Sequence, residues 1–211
     1  MQTELVSLAG TIGALAIGVV SPGPSFVMVA RVAVSTSRAK GIAASIGMGF
    51  GGVAFALAAL LGLQAVLSAV PALYAALKLL GGIYLCYLGF RIFSGAKRPL
   101  HFDSDGASKH SSVYGSFLLG LTTQLSNPKT AIVYASVFAA FLPSPISAPF
   151  GLALLCLVFI VEAGWYSIVA LVLSSPAPRR IYLSCKASVD RAAGLVMVGL
   201  GLRLVTSAHT V

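Results

Sequence analysis

Residues Ser21 to Ser25 read SPGPS, inside an apolar run that extends from Leu5 to Val34. Pro22 and Pro24 lack an N–H, and their rings crowd the carbonyls of the preceding turn, so an α-helix cannot pass through both unchanged. Gly23 lets the chain turn between them. Whether such a break is tolerated depends on its surroundings. Backbone without helical hydrogen bonds cannot face lipid; it must be buried in protein or line a wet cavity.

The rest of the chain makes lipid the relevant surrounding. Of its 211 residues 58% are hydrophobic and only 9% charged, with a mean hydropathy of +0.97. Soluble domains carry about 25% charged residues, so the composition predicts a multi-pass membrane protein. The formal charge is +9, but Lys and Arg lie between apolar segments and form no single stripe. That pattern sets membrane orientation and argues against a nucleic-acid partner. Cys86, Cys156 and Cys185 have no paired spacing, which argues against a disulfide framework or a metal site. The opening residues MQTEL contain Glu4 and no Lys or Arg, so a retained first span is expected in place of a cleaved signal peptide.

A helix needs about 20 residues to cross the hydrocarbon core. Six spans are predicted: Leu5–Val34, Gly41–Leu63, Pro71–Phe93, Val113–Leu142, Pro149–Ser174 and Val189–Val205. The first and fourth are the longest, and both carry a break; in the fourth it is QLSNPKT, Gln124 to Thr130. The segments after spans one, three and five are rich in Lys and Arg, while QAVLSAV and PSPISAP have no charge. Positive-inside bias then places both termini outside. Arg203 is the misfit under that rule. The longest polar stretch, SGAKRPLHFDSDGASKHSS (Ser94–Ser112), is the expected linker between halves, with His101 and His110 as solvated loop residues.

The halves resemble each other. At an offset of 112 residues Gly82 meets Gly194, Gly89 meets Gly201, Arg91 meets Arg203 and Gly52 meets Gly164. A slightly shorter offset sets Gly23-Pro24 against Asn127-Pro128. Three spans per half is an odd number, so the second half must insert upside down. Inverted repeats with broken helices in corresponding positions mark a secondary transporter. The inversion also accounts for Arg203, which then lies at the outer end. The expected fold is an all-α integral membrane protein of one domain, residues 1–211, with six transmembrane helices as two inverted three-helix repeats and helices 1 and 4 broken. Repeat 1 covers about 1–95, a cytoplasmic linker about 96–112, and repeat 2 about 113–211.

Half-helix ends offer N–H groups that favour a carboxylate and carbonyls that favour an ammonium. A pair of breaks therefore suits a zwitterion; a plain proline kink is the alternative. Two charged side chains lie deep in the predicted spans, Lys129 after the second break and Glu162 within span five. An intramembrane charge costs roughly 2.5–3.5 kcal/mol on insertion scales. Glu162 can exchange a proton or hold a substrate ammonium; Lys129 can hold a carboxylate or neutralise Glu162. A structural ion pair between them, or a Lys129 that reaches an interface, is the plainer reading. The glycines of span two, with Gly47 and Gly51 four apart, read as a packing face. Tyr84 and Tyr87 read as interface or core residues, and Trp165 and Tyr166 as possible cavity walls near Glu162.

The segments SPGPSFVMVARVAVSTSRAKGIAASIGMGFG, ALKLLGGIYLCYLGFRIF and QLSNPKTAIVY together resemble the lysine-exporter (LysE/RhtB-type) amino-acid translocator family, in order and over nearly the whole chain. The resemblance implies a small inner-membrane exporter of amino acids or close derivatives, driven by proton exchange. It places Ser21-Pro22-Gly23-Pro24 at the family's first break and Asn127-Pro128-Lys129 at its second. Many members carry an aspartate where this chain has Ser25, and a polar residue near the position of Phe55. Those departures argue against basic substrates and leave Glu162 as the intramembrane acid. The candidate translocation residues are Ser21, Pro22, Gly23, Pro24, Ser25, Gln124, Asn127, Pro128, Lys129 and Glu162. The expected partners are an amino-acid substrate, protons, the lipid bilayer and a possible second copy of the chain, with no cofactor or metal. A channel-like facilitator for small neutral solutes is the competing function. An intramembrane enzyme is disfavoured, because all three histidines lie outside the spans and Glu162 has no second carboxylate beside it.

Overall fold

In the computed structural model residues 2–21, 23–69, 71–97, 112–143 and 145–206 are described. Pro22, His101, His110 and His209 lie outside them, as does most of the linker. The described residues form eight helices: α1 (Gln2–Val20), α2 (Pro24–Ser35), α3 (Arg38–Ala69), α4 (Pro71–Gly95), α5 (Val113–Leu125), α6 (Pro128–Phe141), α7 (Ala148–Leu173) and α8 (Pro176–Thr206). Thr3–Val20, Arg38–Gly62 and Ala148–Leu173 are each long and apolar enough to cross a membrane by length and composition. Pro24–Ser35, Leu79–Gly95 and Pro128–Phe141 are shorter apolar helices.

The first and fourth predicted spans are each two helices, α1 with α2 and α5 with α6. Pro24 and Pro128 sit at the start of the second half-helix in each case. That is where proline costs least, because a first-turn N–H has no intrahelical acceptor anyway. Other ends follow from local chemistry. Ser112 caps α5 by accepting from the Gly115 N–H at 2.9 Å. Ser147 caps α7 by accepting from Phe150 at 3.3 Å, and its hydroxyl donates to Glu4 at 2.6 Å, tying α7 to the first turn of α1.

Two sequence expectations are corrected. The uncharged segment 64–70 was expected as a loop, but α3 runs to Ala69 and α4 starts at Pro71. Little in it stops a helix before the proline, and Pro71 then opens the next one. The sixth span was expected from Val189, but α8 begins at Pro176. Its polar first half needs no lipid-facing stripe. Lys186 and Asp190, one turn apart, form a buried ion pair of 2.6 Å within it, and Lys186 also donates to the Ala96 carbonyl.

Helices in lipid gain little from burying apolar surface against each other, so small residues that let backbones approach carry much of the packing. α4 lies along α8 through such contacts. A Cβ on Gly82 would stand 2.7 Å from the Gly201 carbonyl oxygen, and one on Gly201 2.5 Å from that of Gly82. Gly89 and Gly194 face each other in the same way, at 2.5 and 2.6 Å. Between the two pairs the Cys86 thiol donates to the Val198 carbonyl, and these two residues are 112 apart in sequence. Residues paired by the sequence offset thus make reciprocal contacts, 82 with 201 and 194 with 89, around a point where 86 meets its own counterpart. On the other side, α3 and α5 close on Gly47, which abuts the Phe117 backbone, and Gly120, which abuts that of Ala44.

The buried side chains form two clusters. One joins Leu15, Tyr134, Phe138, Leu154 and Met197; the other joins Phe26, Val29, Met48, Tyr166 and Val169.

Candidate functional site

The chain between α1 and α2 passes through Gly23 in an extended conformation, φ −154° and ψ −171°. Asn127, between α5 and α6, is also extended, and its side chain caps α6 by accepting from the Lys129 N–H at 3.0 Å. The two unwound segments approach each other: the Asn127 amide donates to the Ser25 hydroxyl at 2.8 Å. Ser25 in turn donates to Gln124 Oε1 at 2.7 Å, and Gln124 Nε2 donates to Glu162 Oε2 at 3.0 Å. Tyr134 donates to the other Glu162 oxygen at 2.9 Å. One hydrogen-bond chain therefore runs from the second break, through the first, to the carboxylate on α7. All its donors point toward Glu162, which suits an ionised carboxylate, an acceptor at both oxygens.

A small cavity of about 20 Å³ lies against this chain, roughly what one water needs. Ser21, Gly23, Ser25, Asn127, Lys129 and Glu162 line it. Gln124 stands behind it, fully buried, and acts through its bonds to Ser25 and Glu162. Pro24 and Pro128 are exposed and shape the breaks without lining the cavity. Pro22 lies outside the described residues.

Lys129 and Glu162 share the cavity, but no ion pair joins them among the described residues; Lys129 Nζ instead donates to the Ser21 carbonyl at 2.8 Å. A helix-end carbonyl, left over where α1 stops, thus takes the place expected for the carboxylate. Two glycines make room for this. A Cβ on Gly23 would stand 3.3 Å from the Lys129 stem. One on Gly52 would stand 2.9 Å from both Glu162 Cγ and the Tyr134 hydroxyl.

Sequence reasoning missed Thr130, Val133 and Tyr134, all of which line the cavity. The signal was available for two of them: 127, 130 and 134 share one helical face. Tyr166, one turn beyond Glu162, lines the cavity, whereas Trp165 packs in the second cluster. The Lys186–Asp190 ion pair is a buried pair that the polar flanking sequence did not suggest. Arg203 rests over the Phe141 ring at 5.2 Å, away from the cavity. Breaking the α8 pair by Lys186→Met leaves a buried carboxylate uncompensated and is expected to cost about 3–5 kcal/mol. Adding Asp190→Asn should recover most of that loss; thermal unfolding in detergent measures both.

Among the described residues the fold is an all-helical, apolar bundle whose broken helices meet near a buried carboxylate, an arrangement that suits a translocator. The family comparison agrees: the LysE type translocator family matches residues 16–208, and the chain belongs to that family. Among similar proteins, the threonine efflux protein of Salmonella typhimurium is 32% identical over 194 residues, covering 90% of this chain and 93% of the relative. That of Escherichia coli K12 is 31% identical over 192 residues, with coverage of 90% and 93%. The leucine efflux protein of Klebsiella pneumoniae is 27% identical over 189 residues, 88% of each chain. No solved structure matches.

Proposed function

We propose that the chain exports a small neutral amino acid across the bacterial inner membrane by alternating access, in exchange for a proton carried at Glu162. The observation that carries this reading is Glu162 itself: 1% exposed, both oxygens hydrogen-bonded, and linked through Gln124 and Ser25 to both helix breaks. A carboxyl at the hub of such a network changes the network when it gains a proton. The proton then needs an acceptor, and Gln124 or Tyr134 must turn to supply one. The names of the threonine and leucine efflux relatives favour a neutral substrate, as does the hydroxyl- and methyl-rich lining from Ser21, Thr130, Val19 and Val133.

The cavity holds about one water, far below the roughly 300–1,000 Å³ of ordinary ligand pockets, so the helices must part for a substrate to enter. The reciprocal contacts of Gly82 with Gly201 and Gly89 with Gly194 favour a single domain of two inverted three-helix units, the halves that would rock. Export would then run from the Lys- and Arg-rich side, with both termini outside.

The test is an expressing strain challenged with toxic amino acids and analogues, followed by release of the labelled compound from loaded vesicles. Resistance to one neutral amino acid, with release accelerated at least about tenfold by an inward proton gradient, is the expected result; that ratio corresponds to about 1.4 kcal/mol. Release that only follows the substrate gradient, whatever the proton gradient, would identify a facilitator.

A further inference from the structure

The two helix breaks differ in chemistry, and the difference orients the substrate. At α6 the leading N–H groups are served by the chain itself, because the Asn127 side chain accepts from Lys129 N at 3.0 Å. At α2 the corresponding position is Gly23, and no side chain caps the helix. α2 has 12 residues, enough for its first turn to present a partial positive charge to an anion. Beside it, Ser21 is 2% exposed and lines the cavity, yet its hydroxyl has no hydrogen-bond partner among the described residues. Lys129 Nζ reaches the same spot, using one of its three N–H donors on the Ser21 carbonyl. An uncapped helix start, an unsatisfied hydroxyl and an ammonium group converge here. Glu162, by contrast, already receives a donor on each oxygen.

We infer that the substrate's α-carboxylate binds at the α2 end of the cavity, between the Ser21 hydroxyl, the Lys129 ammonium and the first turn of α2, and that a free carboxylate is required for transport. The inference rests on the amino-acid export reading and deepens it. The carboxylate supplies the cap that Gly23 cannot, accepts from Ser21 and pairs with Lys129. The ammonium group then lies toward Glu162, Tyr134 and Tyr166.

The test uses the full-length protein in proteoliposomes with labelled L-threonine as probe, competed by unlabelled L-threonine, its carboxamide and the corresponding amino alcohol. The carboxamide and the alcohol should compete at least about tenfold more weakly than the acid. Ser21→Ala should weaken threonine itself while narrowing its advantage over the carboxamide. Gly23→Asp is the second variant. Gly23 has no positive φ, so an aspartate can be accommodated, and its carboxylate would cap α2 and sit beside Lys129 in the substrate's place. It should abolish threonine transport with the melting temperature unchanged or raised, an outcome a merely structural role for Gly23 would not produce. Equal competition by acid and carboxamide in the wild type, or normal transport by Gly23→Asp, would overturn the carboxylate site and leave amino-acid export standing. Absence of transport for every amino acid in a panel would overturn both.

Discussion

Replacing Glu162 by Gln abolishes the dependence of export on pH and on an imposed proton gradient, while the protein reaches the membrane at its normal level. Glutamine keeps the shape of the side chain and one carbonyl oxygen, so Tyr134 retains its acceptor. Its new NH₂ group meets Gln124 Nε2, and that clash is relieved when the Gln124 amide turns over. What glutamine cannot do is bind and release a proton. Exchange should therefore fall to the level of vesicles without protein, whereas substrate binding persists. Glu162→Leu is a harsher change. It strands the Gln124 amide and the Tyr134 hydroxyl, both buried, at about 1–3 kcal/mol each. The pair of variants separates the two roles: loss of coupling with a stable fold in the first, loss of both in the second. Gradient-driven efflux at wild-type rates from Glu162→Gln would remove the carboxylate from the mechanism.

The second large effect concerns packing. Gly120→Leu should eliminate folded protein, because a side chain there runs into the backbone of Ala44 on α3. Overpacking ordinarily costs about 1–3 kcal/mol when neighbouring side chains can yield. Here the obstacle is main chain, so α3 and α5 must separate, and the loss should exceed about 3 kcal/mol. α5 would also carry Gln124 away from Ser25 and Glu162, so a surviving fraction would be inactive. Gly164→Leu and Gly199→Leu are the controls. Both positions are exposed, and a Cβ at either meets nothing within 4 Å. They should change stability by no more than about 0.5 kcal/mol. Membrane level and a monodisperse size-exclusion profile distinguish the outcomes.

The helix breaks were legible because their causes are local. Pro24 and Pro128 each remove a helical N–H wherever the chain goes, and each starts its half-helix. The glycines of α4 and α8 could be matched along the sequence at an offset of 112 residues. Their contacts were not legible, because the offset pairs 82 with 194 whereas space pairs 82 with 201. The helix that carries the sixth predicted span starts earlier than expected, because the Lys- and Arg-rich start of α8 looks like a loop. Most of that start is exposed, and only the fold shows that Lys186 and Asp190 are buried and paired within it.

By itself the sequence determined that this is a multi-pass helical membrane protein and where its helices break, and it singled out Lys129 and Glu162 as charges within apolar segments. These depend on composition, on proline stereochemistry and on distance along the chain, all of which are local properties. Tertiary structure alone decided whom those charges meet. Lys129 takes a carbonyl 108 residues away in place of Glu162, and Ser25 reaches Glu162 through a glutamine 99 residues on. The facing of a side chain across a bundle depends on the rotation and tilt of each helix about its neighbours. Those are set in part by backbone contacts at Gly47 and Gly120, which no short stretch of sequence displays.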